Sequence, residues 1–173
     1  YSATKAAADM LITAWGRTHK IPYMILRPTN NYGIGQYVEK LIPKTVKLVH
    51  LGRKVPLHNY GKPYRNWLHA DDTAEAVIAL IEKGTIGEIY NIAGGFEQTN
   101  FDTVRSVFES MGVDISDGKK ENKHIDYSYS RLGQDVRYSL DDSKLRSLGW
   151  KPRKLFKWEI KSIVEYYKHK FIW

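Results

Sequence analysis

The segment Pro22-Tyr23-Met24-Ile25-Leu26-Arg27-Pro28-Thr29-Asn30-Asn31-Tyr32-Gly33 decides the fold. Pro22 to Leu26 is a short, nearly continuous apolar run, which is how a strand buried on both faces of a parallel sheet reads. It must stop before Pro28, which has no amide hydrogen for a ladder. The polar, glycine-bearing stretch Thr29 to Gly33 then reads as a loop at the C-terminal end of that strand. In open α/β sheets this edge is where ligands bind, so one segment predicts both the fold class and the place of the site.

Upstream, Ala6, Ala7, Met10, Leu11 and Ala14 recur at helical spacing and predict a helix from Ser2 to about His19. Tyr1 and Lys5 fall in its first turn, four residues apart, so both side chains lie on one face. An ammonium beside a phenol favours the ionised form, and a phenol brought down from about 10 can exchange a proton with a sugar hydroxyl. The same spacing recurs in Tyr166-Tyr167-Lys168-His169-Lys170, which reads as a solvated helix end.

Downstream, a helix is expected from Val38 to about Leu51, with Pro43 near its first turn. Val55 to His58 and Tyr64 to Leu68 read as short strands about the turn Tyr60 to Pro63. Asp72-Thr73-Ala74-Glu75 has capping-box spacing and opens a helix that Gly84 ends, with Asp72 as its cap. Ile89 to Ala93 is an apolar strand running into Gly94-Gly95, where backbone can approach another group closely. A helix from Phe101 to Met111, an exposed loop from Asp114 to Lys123, an edge strand from His124 to Tyr129 and a loop from Arg131 to Asp135 follow. A short helix from Ser139 to Leu148 and an amphipathic helix from Phe156 to Phe171 complete the chain. Strands alternating with helices define an α/β fold.

At 173 residues and 42% hydrophobic, the chain suffices for one core. It contains no cysteine, which excludes disulfides and thiolate chemistry, and its six histidines are scattered without a metal-ligand spacing, so no metal is expected. No bilayer-spanning run and no signal segment is evident, and a cytoplasmic protein without a membrane or nucleic-acid partner is expected. The net charge of +8 is compatible with an anionic ligand such as a nucleotide diphosphate or with nucleic acid. Much of the excess lies in the last quarter, at Lys151, Arg153, Lys154, Lys157, Lys161, Lys168 and Lys170, which reads as a solvated face.

Seven blocks in order, Tyr1 to Lys5, Arg27 to Gly33, Glu39 to Pro43, Arg65 to Asp72, Gly87 to Gly95, Arg131 to Tyr138 and Leu148 to Pro152, resemble the extended short-chain dehydrogenase/reductase family. The likeness is closest to its nucleotide-sugar dehydratases of the dTDP-glucose 4,6-dehydratase type. It implies the end of a Rossmann-type parallel sheet in residues 1–34, beginning at the Tyr-x-x-x-Lys helix. Residues 35–173 would be mainly a nucleotide-sugar-binding α/β domain, with about 64–93 returning to the Rossmann sheet. The chain starts at Tyr1 and holds no Gly-x-x-Gly-x-x-Gly turn, so the resemblance implies the C-terminal part of a longer lyase, inactive by itself, with NAD bound mainly by an N-terminal half.

The resemblance also implies roles. Tyr1 and Lys5 would be catalytic and meet NAD, with Asn31 at the nicotinamide end. Asn30 would face the sugar diphosphate, Lys40 and Leu41 the nucleotide, and Pro56, Leu57 and His58 the base. Arg65 and Arg131 would grip the diphosphate, aided by Gln134, and Asn91 would contact the nucleotide. Leu132 and Gln134 stand where such dehydratases tend to carry proline and histidine, and His58 where tyrosine is usual, which leaves the base open between thymidine, uridine and another. In the implied mechanism Tyr1 takes the C4 hydroxyl proton as hydride passes to NAD, water leaves across C5 and C6, and hydride returns to C6. A 4-epimerase or UDP-glucuronate decarboxylase of the same family remains an alternative, as does a non-catalytic nucleotide-sugar-binding or interaction module. Family members commonly dimerise through the N-terminal helix, so a homodimer in carbohydrate biosynthesis is expected.

Overall fold

The computed structural model describes residues 1–170. Its first element, α1 (Ser2–His19), is an alanine-rich helix ended by Lys20 in the left-handed region, and none of its residues is buried. It is tethered by the Asp9–Arg27 ion pair at 2.6 Å and by Gly16, where a Cβ would meet the Tyr23 ring at 2.3 Å.

Strand β1 (Ile25–Pro28) lies parallel to β5 (Ile89–Ile92), with Ile25 opposite Ile89 and Pro28 opposite Ile92. Thr29 donates one more backbone bond to the Ile92 carbonyl at 2.9 Å. The chain then leaves this pair. Asn30–Tyr32 is strand β2, parallel to β4 (Tyr64–His69) in a second sheet, where a loop was expected. Polar asparagines hid the strand, because its ladder rests on the neighbouring Trp67 to His69 backbone rather than on side-chain propensity. Strand β3 (Val55–Pro56) pairs with β7 (Ile125–Asp126), β6 (Phe96–Thr99) runs antiparallel to β4, and β8 (Arg137–Tyr138) runs parallel to β4 at Tyr64 and Arg65.

One side chain fixes the change of sheet. Asn66 is buried, and its Oδ1 accepts from Thr29 Oγ1 at 3.0 Å and from the Gly94 amide at 2.9 Å. Gly94 must be glycine for a different reason than ligand approach: a Cβ there would lie 1.7 Å from the Trp67 carbonyl oxygen.

The helices fill in around these strands as α2 (Leu41–His50), α3 (Ala70–Lys83), α4 (Asn100–Ser110), α5 (Gly118–His124), α6 (Ser143–Arg146) and α7 (Phe156–His169). Three packed groups result. Ile42, Val46, Val107, Ile163 and Tyr167 join α2, α4 and α7 beneath Tyr32 and Trp67. Val55, Leu57, Phe108 and Ile125 close β3 and β7 against α4. Leu68, Leu80, Ile92, Leu145 and Trp150 unite β4, α3, β5 and α6.

Several boundaries differ from expectation for local reasons. Helix α3 is capped by His69, whose Nδ1 accepts from the Asp71 amide at 3.1 Å. Asp72 is instead buried in the first turn, accepting from the Arg153 and Lys154 amides at 3.0 and 3.1 Å. It anchors the approach to α7. Asp117 caps α5 within the expected loop by accepting from the Lys120 amide at 2.8 Å. Asp141 accepts from the Ser143 amide and delays the start of α6. The second Tyr-Lys stretch is partly core: Tyr167 is buried and donates to the Gly33 and Gln36 carbonyls at 3.1 and 3.0 Å. The expected end of the last helix at Phe171 lies outside the described residues.

Candidate functional site

The ends of the strands and the loops after them gather two groups of the expected residues. The first surrounds the change of sheet. Asn31 uses both ends of its amide inside the protein: Oδ1 accepts from Thr73 Oγ1 at 2.7 Å and Nδ2 donates to the Thr29 carbonyl at 3.1 Å. Asn30 beside it carries a buried Oδ1 with no partner in the protein, the kind of atom that a bound group or water completes. Asn91, across from Arg27 in the β1–β5 pair, donates to the Asp141 carbonyl at 3.0 Å.

The second group sits at the start of β4. Arg65 is half-buried, and its Nη1 donates to the Tyr64 carbonyl at 2.6 Å and to the Asp135 carbonyl at 3.0 Å. Burial lowers its pKa from the ordinary value, the Asp135 carboxylate opposes this, and the positive charge of Arg131 adds to it. Through Asp135, Arg65 is bonded to the same loop that carries Arg131. Arg131 is exposed and forms no ion pair among the described residues. Gln134 in the same loop has a buried Oε1 without a partner. Two guanidiniums without an ion pair among the described residues, on one strand end and the loop bonded to it, suit an anion with several oxygens.

Beside this pair lies the segment expected to flank a base. The strand ends at Pro56, and His58–Gly61 forms a tight 3-10 turn rather than continuing as a strand. The His58 ring stands 5.7 Å from Tyr129, and its Nδ1 is buried without a partner. Leu57 faces the other way: it is 2% exposed within the β3–β7 core, so its side chain presents nothing to a ligand. Leu41 is partly buried, packed against two of the core groups. Lys40 is exposed at the N-cap of α2, where the helix dipole also favours an anion.

Tyr1 and Lys5 share the first turn of α1, where the Lys5 amide donates to the Tyr1 carbonyl at 3.0 Å. The Tyr1 residue is 92% exposed, so its phenol is open to a ligand that reaches this end of the helix. Sequence reasoning missed Asn59, Asn66 and Glu97. Asn59 and Asn66 bond to groups far along the chain, and no local spacing signals such contacts. The described residues contain no group of three or more His, Asp or Glu placed to hold a metal, and no helix among them is long and apolar enough to cross a membrane.

An α/β protein whose strand ends collect amides, guanidiniums and a Tyr-x-x-x-Lys helix belongs with the nucleotide-binding α/β folds. More particularly, the chain belongs to the NAD dependent epimerase/dehydratase family, whose model matches residues 1–93. Over 174 residues it is 36% identical to dTDP-glucose 4,6-dehydratase 1 of Escherichia coli K12, covering 100% of this chain and 48% of that protein. It is also 36% identical over 167 residues to the low-salt glycan biosynthesis protein Agl12 of Haloferax volcanii, covering 96% of this chain and 52% of that protein. Among solved structures, DesIV, the dTDP-glucose 4,6-dehydratase of Streptomyces venezuelae with NAD and TYD bound, superposes with a TM-score of 0.88 at 36% identity, covering 97% of this chain and 50% of that one. The chain spans about half the length of the curated relatives it matches.

Proposed function

We propose that this chain supplies the sugar-nucleotide side of an NAD-dependent 4,6-dehydratase acting on a substrate of the dTDP-glucose kind. The observation that carries the reading is that Arg65, at the head of β4, bonds to the Asp135 carbonyl of the loop whose Arg131 has no ion pair among the described residues, in a chain alike over its whole length to such dehydratases. In this reading Arg65 and Arg131 bind the diphosphate with Gln134, Lys40 adds charge, and Pro56 and His58 border the base. Asn30 and Asn91 lie toward the sugar. Leu41 and Leu57 act from beneath as packing, through the position they give their neighbours.

Tyr1 and Lys5 fit the hydroxyl-rich ribose end of NAD by donor chemistry, being exposed on one turn of α1. Asn31 retains a second amide hydrogen and a second lone pair for the nicotinamide end. NAD when bound accepts hydride and returns it. The chain's own part is proton transfer, in which the Tyr1 oxygen takes the proton of the sugar C4 hydroxyl and the Lys5 ammonium stabilises the phenolate. On the same reading residues 1–34 join the cofactor domain and residues 35–173 mainly the substrate domain. The pairing of β1 with β5 and of β2 with β4, which ties residues 64–93 back to the first segment, supports that division.

The test is calorimetric titration with dTDP and UDP. Arg65→Ala should weaken binding about tenfold or more, the loss of one charge-assisted contact. Lys157→Ala, in α7, should leave affinity unchanged. Equal effects of the two substitutions, or no binding by the unsubstituted chain, would refute the site.

A further inference from the structure

The turn that follows β3 holds an unusual backbone. Asn59 has φ 51° and ψ 40°, Tyr60 has φ 56° and ψ 21°, and Gly61 has φ 67°. Three consecutive left-handed residues, two of them not glycine, persist only where their surroundings hold them. Asparagine is the side chain that tolerates this region best, and here its amide reaches 72 residues along the chain. Asn59 Oδ1 accepts from the Arg131 amide at 3.1 Å and from Ser130 Oγ at 3.2 Å, while Nδ2 donates to the Arg131 carbonyl at 3.3 Å. Its own amide donates to the Tyr129 carbonyl at 3.2 Å. Both backbone polar groups of Arg131 are thus taken by one side chain, as a neighbouring strand would take them. Tyr60, next in line, stacks on Tyr127 with ring centroids 5.6 Å apart, which secures the strained turn to the same segment.

The other end of the loop is held separately. The Tyr64 amide donates to the Val136 carbonyl at 2.8 Å, and Arg65 Nη1 donates to the Asp135 carbonyl at 3.0 Å. The segment from Asn59 to Arg65 therefore grips both ends of the loop that carries Arg131. Between the grips the Arg131 guanidinium has no anionic partner among the described residues. A fork on a clamped backbone loses less freedom when it meets a diphosphate than a fork on a free loop.

We propose that Asn59 is a positioning residue for nucleotide-diphosphate recognition, clamping the Arg131 backbone so that its guanidinium is set beside Arg65 before the ligand arrives. This rests on the nucleotide-sugar reading of the site. Asn59→Gly keeps the left-handed turn and removes the clamp. Calorimetry with dTDP and UDP on the full chain should show Asn59→Gly about fivefold or more weaker, the worth of about one hydrogen bond. In an Arg131→Ala background the further change to Asn59→Gly should cost nothing, because the clamp then positions no fork. Without nucleotide, hydrogen exchange at the Arg131 amide should be slow and should accelerate in Asn59→Gly. If Asn59→Gly binds as tightly as the unsubstituted chain while Arg131→Ala is weakened, the clamp is overturned and the site stands. If Asn59→Gly weakens binding equally with and without Arg131, its effect does not pass through that residue and the positioning role is likewise overturned. If the unsubstituted chain binds neither nucleotide, the site reading fails and takes the role with it.

Discussion

Asn66 shows how much one buried amide can organise. Its Oδ1 takes a hydroxyl from the strand crossover at Thr29 and an amide from Gly94. Replacing it with alanine would strand one buried donor, the Thr29 hydroxyl, and one partly buried donor, the Gly94 amide, each costing about 1–3 kcal/mol when left unpaired away from water. Asn66→Ala is therefore expected to lose roughly 2–4 kcal/mol, read as a lower urea midpoint with an unchanged slope. A shift too small to resolve would mean that water replaces the amide and that the crossover is held elsewhere. Asp72 has the same character, a carboxylate that resembles a cap in sequence yet serves two backbone amides beyond Pro152. Such residues are read wrongly from sequence because their partners are 81 and 82 positions away.

Strands β6 and β8 flank β4 where it approaches the candidate site, and a Glu97–Arg137 pair joins them across it at 2.7 Å. The hydrogen bond from Arg137, aided by one from Ser139, holds the Glu97 carboxyl below its ordinary value of 4.5. A depressed folded-state pKa contributes stability that is fully present above the unfolded value and is lost as pH falls through the folded one. Glu97→Gln should accordingly be less stable than the unsubstituted chain at pH 7. The difference should shrink as the pH is lowered below about 4.5. Thermal melts that keep a constant difference down to acid pH would remove this pair from the account. The same elements mark what the sequence could reveal. The long helices, β1, β4 and β5 announce themselves through apolar periodicity and glycine punctuation, and Tyr1, Lys5, Arg65 and Arg131 through ordered blocks. Strands β2, β6 and β8 are only two to four residues long and largely polar, so their identity comes from the ladder with β4. The 3-10 turn is set by tertiary bonds to residues 129–131, which leave no local trace.

At the scale of the molecule, α1 stands outside the packed groups of the core. Met10, Leu11, Ile12 and Trp15 are exposed, with Trp15 at 58%, and an apolar depression of about 380 Å³ runs between this helix and Ile21 and Tyr23. Ala7, Leu11 and Trp15 follow at four-residue intervals and so share one face, with the small side chain leaving room for close approach of another helix. An apolar face of this kind seeks cover. The family reading proposes that a second copy provides it, helix against helix, in a homodimer. Since α1 buries no residue, its apolar face can be altered with little cost to the fold. Trp15→Glu places a charge in the proposed contact, and Ala7→Phe fills the space needed for approach. Both should lower the apparent mass in light scattering at concentrations where the unsubstituted chain is dimeric, with the melting temperature nearly unchanged. Surface substitutions away from such a contact usually change stability by less than about 0.5 kcal/mol, which makes Ile81→Glu, exposed on α3, the control. A strict monomer at high concentration, indifferent to both α1 substitutions, would exclude self-association through this helix.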